Sequence, residues 1–307
     1  MHRPEKPRVA ALVGATATGK TAVALALAAG LGAEIVNADS LQVYRGLNIG
    51  TAKPTWEERA RVPHHLIDVA DPPEPYDAAR YSREGREVLA ELHRRGVPPL
   101  VVGGTGLYLK ALLSGLFAEG TPAAGLRDRL RQEAGVMGLP ALYQRLLHLD
   151  PVTAARLHPH DTYRIVRALE VMEATGKPLS TLLNAHRFQD SPYEVLKLGL
   201  AVPREELYRK IELRVEVMLA AGWLEEVQGL LRRYPPEIKP LQALGYRHMS
   251  HYLRGRWSWE EALRLLMRDT RRYAKRQLTW FGSDKEIRWF HPEQVEEMAG
   301  VLAEFFG

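Results

Sequence analysis

The stretch Gly14-Ala15-Thr16-Ala17-Thr18-Gly19-Lys20-Thr21 constrains this chain more than any other, because it has the spacing G-x-x-x-x-G-K-[ST] of a phosphate-cradling loop. At average residue usage the bare pattern arises by chance in about one chain in a hundred of this length. Its flanks supply the context the pattern needs. Residues 9–13 are a continuous apolar run, as in a strand buried on both faces of a parallel sheet, and the Ala/Leu-rich residues 22–29 read as a helix. Glycines let backbone N–H groups converge on phosphate oxygens, and the helix start adds a partial positive charge. Lys20 brings a mobile full charge, and the Thr21 hydroxyl suits a Mg²⁺ ion. An ordinary glycine turn accounts for neither residue. The loop predicts a grip on a di- or triphosphate and leaves open what becomes of it.

Strands alternate with helices through the next hundred residues. Strands are expected at 33–38 and 99–102, helices at 78–95 and from Leu107, with an irregular polar stretch at 42–75 between them. This alternation predicts an α/β fold, a parallel sheet with helices on both faces. From about residue 119 the strand pattern vanishes, and 126–137, 140–149, 152–157 and 162–175 all read as helices. A strand returns at 194–202, followed by helices at 204–221, 224–233 and 259–281. The expected organisation is a P-loop core of residues 1–118 and 188–307 carrying an all-helical insertion at 119–187.

Composition narrows the class. With 46% hydrophobic and 26% charged residues in 307, the chain can bury a sizeable core. No apolar run approaches the ~18 residues of a membrane span, and the N-terminus lacks the apolar centre of a signal peptide. A cytoplasmic monomer with no membrane contact is expected. The absence of cysteine excludes disulfides and thiolate metal sites, and eleven histidines without an HExxH pattern make zinc chemistry a poor fit. His64-His65 reads as turn or surface, and the tryptophans Trp223, Trp257, Trp259, Trp280 and Trp289 read as core.

Open parallel sheets bind ligands beyond the carboxyl ends of their strands. Three landmarks fall at such ends: the loop, Asp39, and Gly103-Gly104-Thr105. Asp39 is the one carboxylate among them, either a general base or a turn-capping residue. Gly103-Gly104 permits close backbone approach and leaves the Thr105 hydroxyl to donate. The strand at 99–102 ends without the aspartate that anchors Mg²⁺ in nucleotide-hydrolysing machines, which argues against a motor or switch. A basic stripe is the second strong feature. Arg264, Arg268, Arg271, Arg272, Lys275 and Arg276 recur at spacings that place them on one face of the last long helix. Such a face is either solvated or laid against a polyanion. The net charge of +5 is compatible with nucleic acid without requiring it.

Taken in order, these residues resemble the tRNA dimethylallyltransferases (tRNA isopentenyltransferases). The resemblance runs through Gly14–Thr21, Asn37–Tyr44, Ile49–Pro54, His64–Asp68, Val102–Tyr108, Gly245-Tyr246-Arg247 and Lys275–Trp280. It implies transfer of a dimethylallyl group from dimethylallyl diphosphate to N6 of the adenosine 3′ of the anticodon in tRNA, with Mg²⁺ as cofactor. By motif, Asp39 would take the amine proton and Thr105 would bond the oxygen bridging the allyl group to its diphosphate. The loop Gly14, Ala15, Thr16, Ala17, Thr18 and Gly19, with Lys20, Arg214, Arg276 and a Mg²⁺ on Thr21, would neutralise the departing diphosphate. The same resemblance puts Asp39, Ser40, Leu41 and Gln42 against tRNA, with Tyr163, Arg164, Ile165, Val166 and Arg167 in the insertion. Arg127, Gly245, Tyr246 and Arg247 would lie nearby, with Arg271 and Arg272 from the stripe. The insertion would clamp the anticodon stem-loop. Free-nucleotide prenylation, small-molecule phosphoryl transfer and non-catalytic RNA binding are the competing readings.

Overall fold

The computed structural model describes residues 6–115, 125–186 and 192–307. The chain divides into two compact units, Met1–Leu113 with Pro192–Gly307, and Ser114–Ser191. The first is built on six parallel strands: β1 (Arg8–Gly14), β2 (Glu34–Asn37), β3 (His64–His65), β4 (Pro99–Gly103), β5 (Glu194–Leu200) and β6 (Ile287–Phe290), in the order β3-β2-β4-β1-β5-β6. The apolar run at 9–13 takes the central position between β4 and β5, where both of its faces are covered.

Helix α1 (Lys20–Leu31) packs Val23, Ala24, Leu27 and Ala28 over Ala10 and Leu12 of β1 and over Leu196 and Leu198 of β5. Val9, Ala11 and Val13 point the other way and are equally buried, so the second face is covered too. Helices α2 (Trp56–Arg61) and α3 (Ala78–Arg94) precede β4, and α4 (Gly106–Ser114) follows it. Helix α3 lies against β2 and β4, and its Ser82 Oγ donates to Ala111 O of α4 at 2.7 Å. In the second unit, α5 (Leu126–Met137), α6 (Leu139–Leu149), α7 (Pro151–Ala154), α8 (Thr162–Thr175) and α9 (Leu179–His186) enclose Leu130, Leu142, Leu146, Ile165, Val166 and Leu169. Buried Asp150 caps α7 at Thr153 N and accepts from Ser180 N at 2.9 Å. Back in the first unit follow α10 (Arg204–Ala220), α11 (Trp223–Arg233), α12 (Tyr246–Leu253), α13 (Trp259–Gly282) and α14 (Val295–Phe306), the last packing on α1 through Met298 and Leu302. No helix among the described residues is long and apolar enough to cross a membrane.

Several sequence expectations are corrected. The stretch 42–75 is not irregular throughout: it holds α2, started by a Thr55/Glu58 capping box, and edge strand β3. His64 and His65 are therefore sheet residues paired with Ile35 and Val36, and His65 Nε2 lies 2.6 Å from Glu34 Oε2, a buried β2 carboxylate also held by Arg95. That hydrogen-bond contact anchors a strand too short to show a period. Strand β6 and helix α14 follow the stripe helix where none was expected. Trp223 is a core residue, but Trp280 (47% exposed) and Trp289 (39%) lie at the surface.

Candidate active site

Three segments leave the sheet at its carboxyl edge and place a polar residue two positions beyond their strand: Thr16 after β1, Asp39 after β2, Thr105 after β4. They border one cleft of about 460 Å³, lined among others by Thr16, Lys20, Thr21, Asp39, Arg214 and Gln277. The loop turns through Ala17 (φ 63°) and Gly19 (φ 88°), and Lys20 opens α1. Gly19 fits a left-handed position that a side chain would strain. The first amides of α1 have no intrahelical acceptor and supply the donors of the cradle. Other parts of the loop are already committed: Thr18 Oγ1 donates to Ala15 O at 2.8 Å, Ala15 is buried against Leu207, Ile211 and Ala274, and Thr16 N donates to Gln277 Oε1 at 2.8 Å. Thr18 and Ala15 thus shape the loop rather than offer side chains to a ligand.

Lys20 Nζ folds over the loop, donating to Gly14 O at 3.0 Å and Ala15 O at 2.7 Å. Its pKa is lowered to about 7, chiefly by burial and then by the Arg214 charge, with Asp39 partly offsetting both. Arg214, from α10, is likewise lowered by burial with Asp39 opposing. Lys20, Arg214 and Asp39 thus share a cleft whose lining also includes Lys53 and Glu58.

Asp39 closes a turn with one carboxylate oxygen and leaves the other without a partner among the described residues. Its Oδ1 accepts from Leu41 N at 2.8 Å and Gln42 N at 3.3 Å, closing the turn after β2. Oδ2 has no hydrogen bond among the described residues, and the residue lines the cleft. The turn is tied to β4 by Thr105 N, which donates to Ala38 O at 3.2 Å, and by Ser40 N, which donates to Thr105 Oγ1 at 3.1 Å. Thr105 Oγ1 in turn donates to Ser40 Oγ at a long 3.4 Å, a bond that its hydroxyl hydrogen can exchange for a ligand oxygen. Gly103 and Gly104 do permit close approach, but within the protein: a Cβ at Gly103 would lie 2.2 Å from Ala38 O, and one at Gly104 2.3 Å from Gln277 Nε2.

The cleft's far wall was only partly legible as motif. Gln42 Nε2 donates to Thr51 O and Ala52 O, and Lys53 Nζ donates to Tyr44 O, Asn48 Oδ1 and Asp68 Oδ1, with Arg59 completing the Asp68 pair at 2.7 Å. Glu226 of α11 accepts from the amides of Asn48, Ile49 and Gly50 and from Tyr246 Oη. The sequences 49–54 and 64–68 are therefore an internal clasp that shapes the wall.

Other candidates divide. Ser40, Leu41 and Gln42 sit half-exposed on the Asp39 turn. Gly245 and Tyr246 are buried, Tyr246 being a support of Glu226 and not a surface for RNA; Arg247 pairs with Asp269. Arg276 is exposed over the Tyr273 ring at 5.7 Å and does not line the cleft, whereas Tyr273 and Gln277 of the same helix do. In the helical unit, Ile165 (0% exposed) and Val166 (3%) are core residues, which leaves Tyr163 and Arg164 as exposed surface; Arg127 and Arg167 both bind Glu170. The stripe is interleaved with acids: Arg264 pairs with Glu261, Arg268 with Asp269 and Arg271 with Glu212. Arg272, Lys275 and Arg276 are exposed, Arg272 reaching Asp269 only at 3.9 Å.

The family model described as IPP transferase matches residues 42–284, and one described as isopentenyl transferase matches residues 7–67. The chain belongs to the IPP transferase family. Relatives named tRNA dimethylallyltransferase include one from Syntrophobacter fumaroxidans, 55% identical over 92% of this chain and 83% of its own. Another, from Geobacter metallireducens, is 49% identical over the full length of both. Among solved structures, the tRNA isopentenylpyrophosphate transferase of Bacillus halodurans superposes with a TM-score of 0.74 at 38% identity, covering 98% of this chain and 97% of the other. A eukaryotic dimethylallyltransferase captured acting on tRNA gives 0.78 at 30% identity, covering 89% and 69%. The IPP transferase fold thus spans both units of this chain.

Proposed function

We propose that the chain is a tRNA dimethylallyltransferase that moves the five-carbon group of dimethylallyl diphosphate to N6 of the adenosine 3′ of the anticodon. One observation carries the reading: Asp39 lines the same cleft as Lys20, Thr21 and Arg214, so a base and a diphosphate cradle face one another. Adenine N6 attacks the first allyl carbon as that carbon's bond to oxygen breaks. Diphosphate leaves with the electron pair, and the N6 proton passes to Asp39. Lys20, Arg214 and the first amides of α1 stabilise the charge that grows on the leaving group. Thr105 donates to the bridging oxygen by turning its hydroxyl hydrogen away from Ser40 Oγ, 3.4 Å distant, while it still accepts from Ser40 N. Because Oδ1 of Asp39 is fixed by the turn, Oδ2 is oriented for proton transfer.

Among the described residues no group of three or more His, Cys, Asp or Glu could enclose a metal. The Thr21 hydroxyl instead suits Mg²⁺, which keeps waters and takes other ligands from substrate phosphates. Bound with the diphosphate, the ion would add to its neutralisation. An N6 amine inside a stacked helix is out of reach, so the adenosine must turn out of its loop into the cleft. Ser40, Leu41 and Gln42 border that entry, and Arg272 and Lys275 supply exposed charge for the RNA backbone.

Labelled dimethylallyl diphosphate offered with Mg²⁺ to unmodified tRNA, AMP and ATP tests the proposal. Label recovered as N6-dimethylallyladenosine in tRNA, with one diphosphate released per transfer, supports it. Label only in AMP or ATP, or in no acceptor, overturns it.

A further inference from the structure

The ladder between β1 and β4 ends at the pair Val13–Gly103, and beyond it the two chains diverge into the diphosphate loop and the Thr105 turn. A side chain bridges the gap. Gln277, buried on the inner face of α13, accepts from Thr16 N at 2.8 Å and donates to Gly104 O at 2.9 Å. A carboxamide carries one acceptor and a donor in the plane of a peptide group, so Gln277 supplies the missing rung between the strands. The fit is close, since Gly104 has room for this amide only because it lacks a Cβ.

From this rung a chain of hydrogen bonds runs through the site. Thr16 carries the loop, Gln277 joins it to Gly104, Thr105 N holds Ala38 O, and Thr105 Oγ1 holds the Ser40 amide next to Asp39. We infer that Gln277 is a positioning residue for the transfer: it sets the spacing between the loop that holds the leaving diphosphate and the Thr105–Asp39 pair that acts on the reacting atoms. It lines the cleft, but its carboxamide is bonded to the two peptide groups. Its effect belongs to alignment at the reacting centre, where a displacement of about 1 Å can cost 10²-fold in rate. The inference rests on the transferase reading and assigns a role to a residue that the cleft's charges alone do not explain.

Gln277→Met keeps the length of the side chain and removes both bonds. Gln277→Glu keeps the acceptor but sets a carboxylate oxygen against Gly104 O, a repulsion relieved when the carboxyl is protonated. Burial and that carbonyl raise the pKa of the new group, as do the carboxylates Asp39 and Glu58 of the same cleft, while the Thr16 N–H and the cleft's Lys20, Lys53 and Arg214 pull it down. Single-turnover transfer is measured with tRNA and dimethylallyl diphosphate both saturating, alongside the Kd of each and a circular-dichroism check of folding. The inference expects Gln277→Met to lose about 10²-fold in rate with both Kd values within about threefold of the parent. It expects the ratio of Gln277→Glu to parent rate to climb as pH falls from about 8.5 to about 6, and the Gln277→Met ratio to stay flat. A parental rate in Gln277→Met, a loss explained wholly by weaker diphosphate binding, or a pH-independent Gln277→Glu ratio overturns it. A parent protein that transfers no allyl group overturns the reading beneath it, an outcome distinct from parent and variant transferring equally well.

Discussion

Lys20 offers the most quantitative check on the cleft's electrostatics. With its pKa lowered to about 7, only about one molecule in ten carries a protonated Lys20 at pH 8, rising to about half at pH 7. A bound diphosphate favours the ammonium form and pulls that pKa back up, so binding at pH 8 should take up about 0.9 proton, about 0.5 at pH 7 and little at pH 6. Calorimetric titration with dimethylallyl diphosphate in two buffers of different ionisation enthalpy measures this uptake, and Lys20→Met supplies the reference for protons from other sources. The same linkage acts on folding. Between about pH 7 and the ordinary lysine value the unfolded chain holds a proton that the folded chain does not, so the Lys20 contribution makes stability rise with pH across that window. Below it both states are protonated and the full cost of the buried charge remains. Equal proton uptake by the parent and Lys20→Met at pH 8 would refute this account of the cleft.

Asp39→Asn retains an oxygen to close the turn at Leu41 N while removing the base, so transfer should fall by about 10²-fold or more with tRNA affinity unchanged, measured by single-turnover rates and filter binding. Glu226→Gln turns donors toward donors in a site where one carboxylate serves three amides and the Tyr246 hydroxyl; urea unfolding should show a loss of about 2–3 kcal/mol. Neutralising Arg272 and Lys275 should reduce the slope of tRNA affinity against salt by about 0.7–0.9 for each RNA phosphate left without its cation. Arg271→Ala, whose charge is already matched by Glu212, should change that slope less. An unchanged slope for Arg272 and Lys275 would make the stripe a solvated face.

The parts of this site that were legible in the sequence are those whose chemistry is local. A phosphate loop needs its glycines, lysine and hydroxyl within eight residues, so Gly14 to Thr21 declares itself. Asp39 and Thr105 stand out because strand ends are marked by the close of an apolar run, as at Val36 and Val102. Strand β3 leaves no such mark: two histidines cannot show a period, and what holds them is pairing with Ile35 and Val36 and the contact of His65 with the Glu34 carboxylate thirty-one residues earlier in the chain. Gln277 has meaning only through peptide groups on loops far away in sequence, and on its own helix it reads as one more polar position beside a basic stripe. Tyr246 and Val166 fail in the opposite sense, since motif membership does not distinguish a residue that meets a ligand from one that supports its neighbours.

The central claim is that one cleft holds the departing diphosphate and the base acting on the adenine amine. It is tested most directly by a structure of the protein with an anticodon stem-loop and an unreactive thiolo analogue of dimethylallyl diphosphate. The account predicts adenine N6 within about 2.6–3.2 Å of Asp39, with the diphosphate on the α1 amides against Lys20 and Arg214. A diphosphate bound outside the loop, or an adenine amine out of hydrogen-bond reach of Asp39, would contradict it.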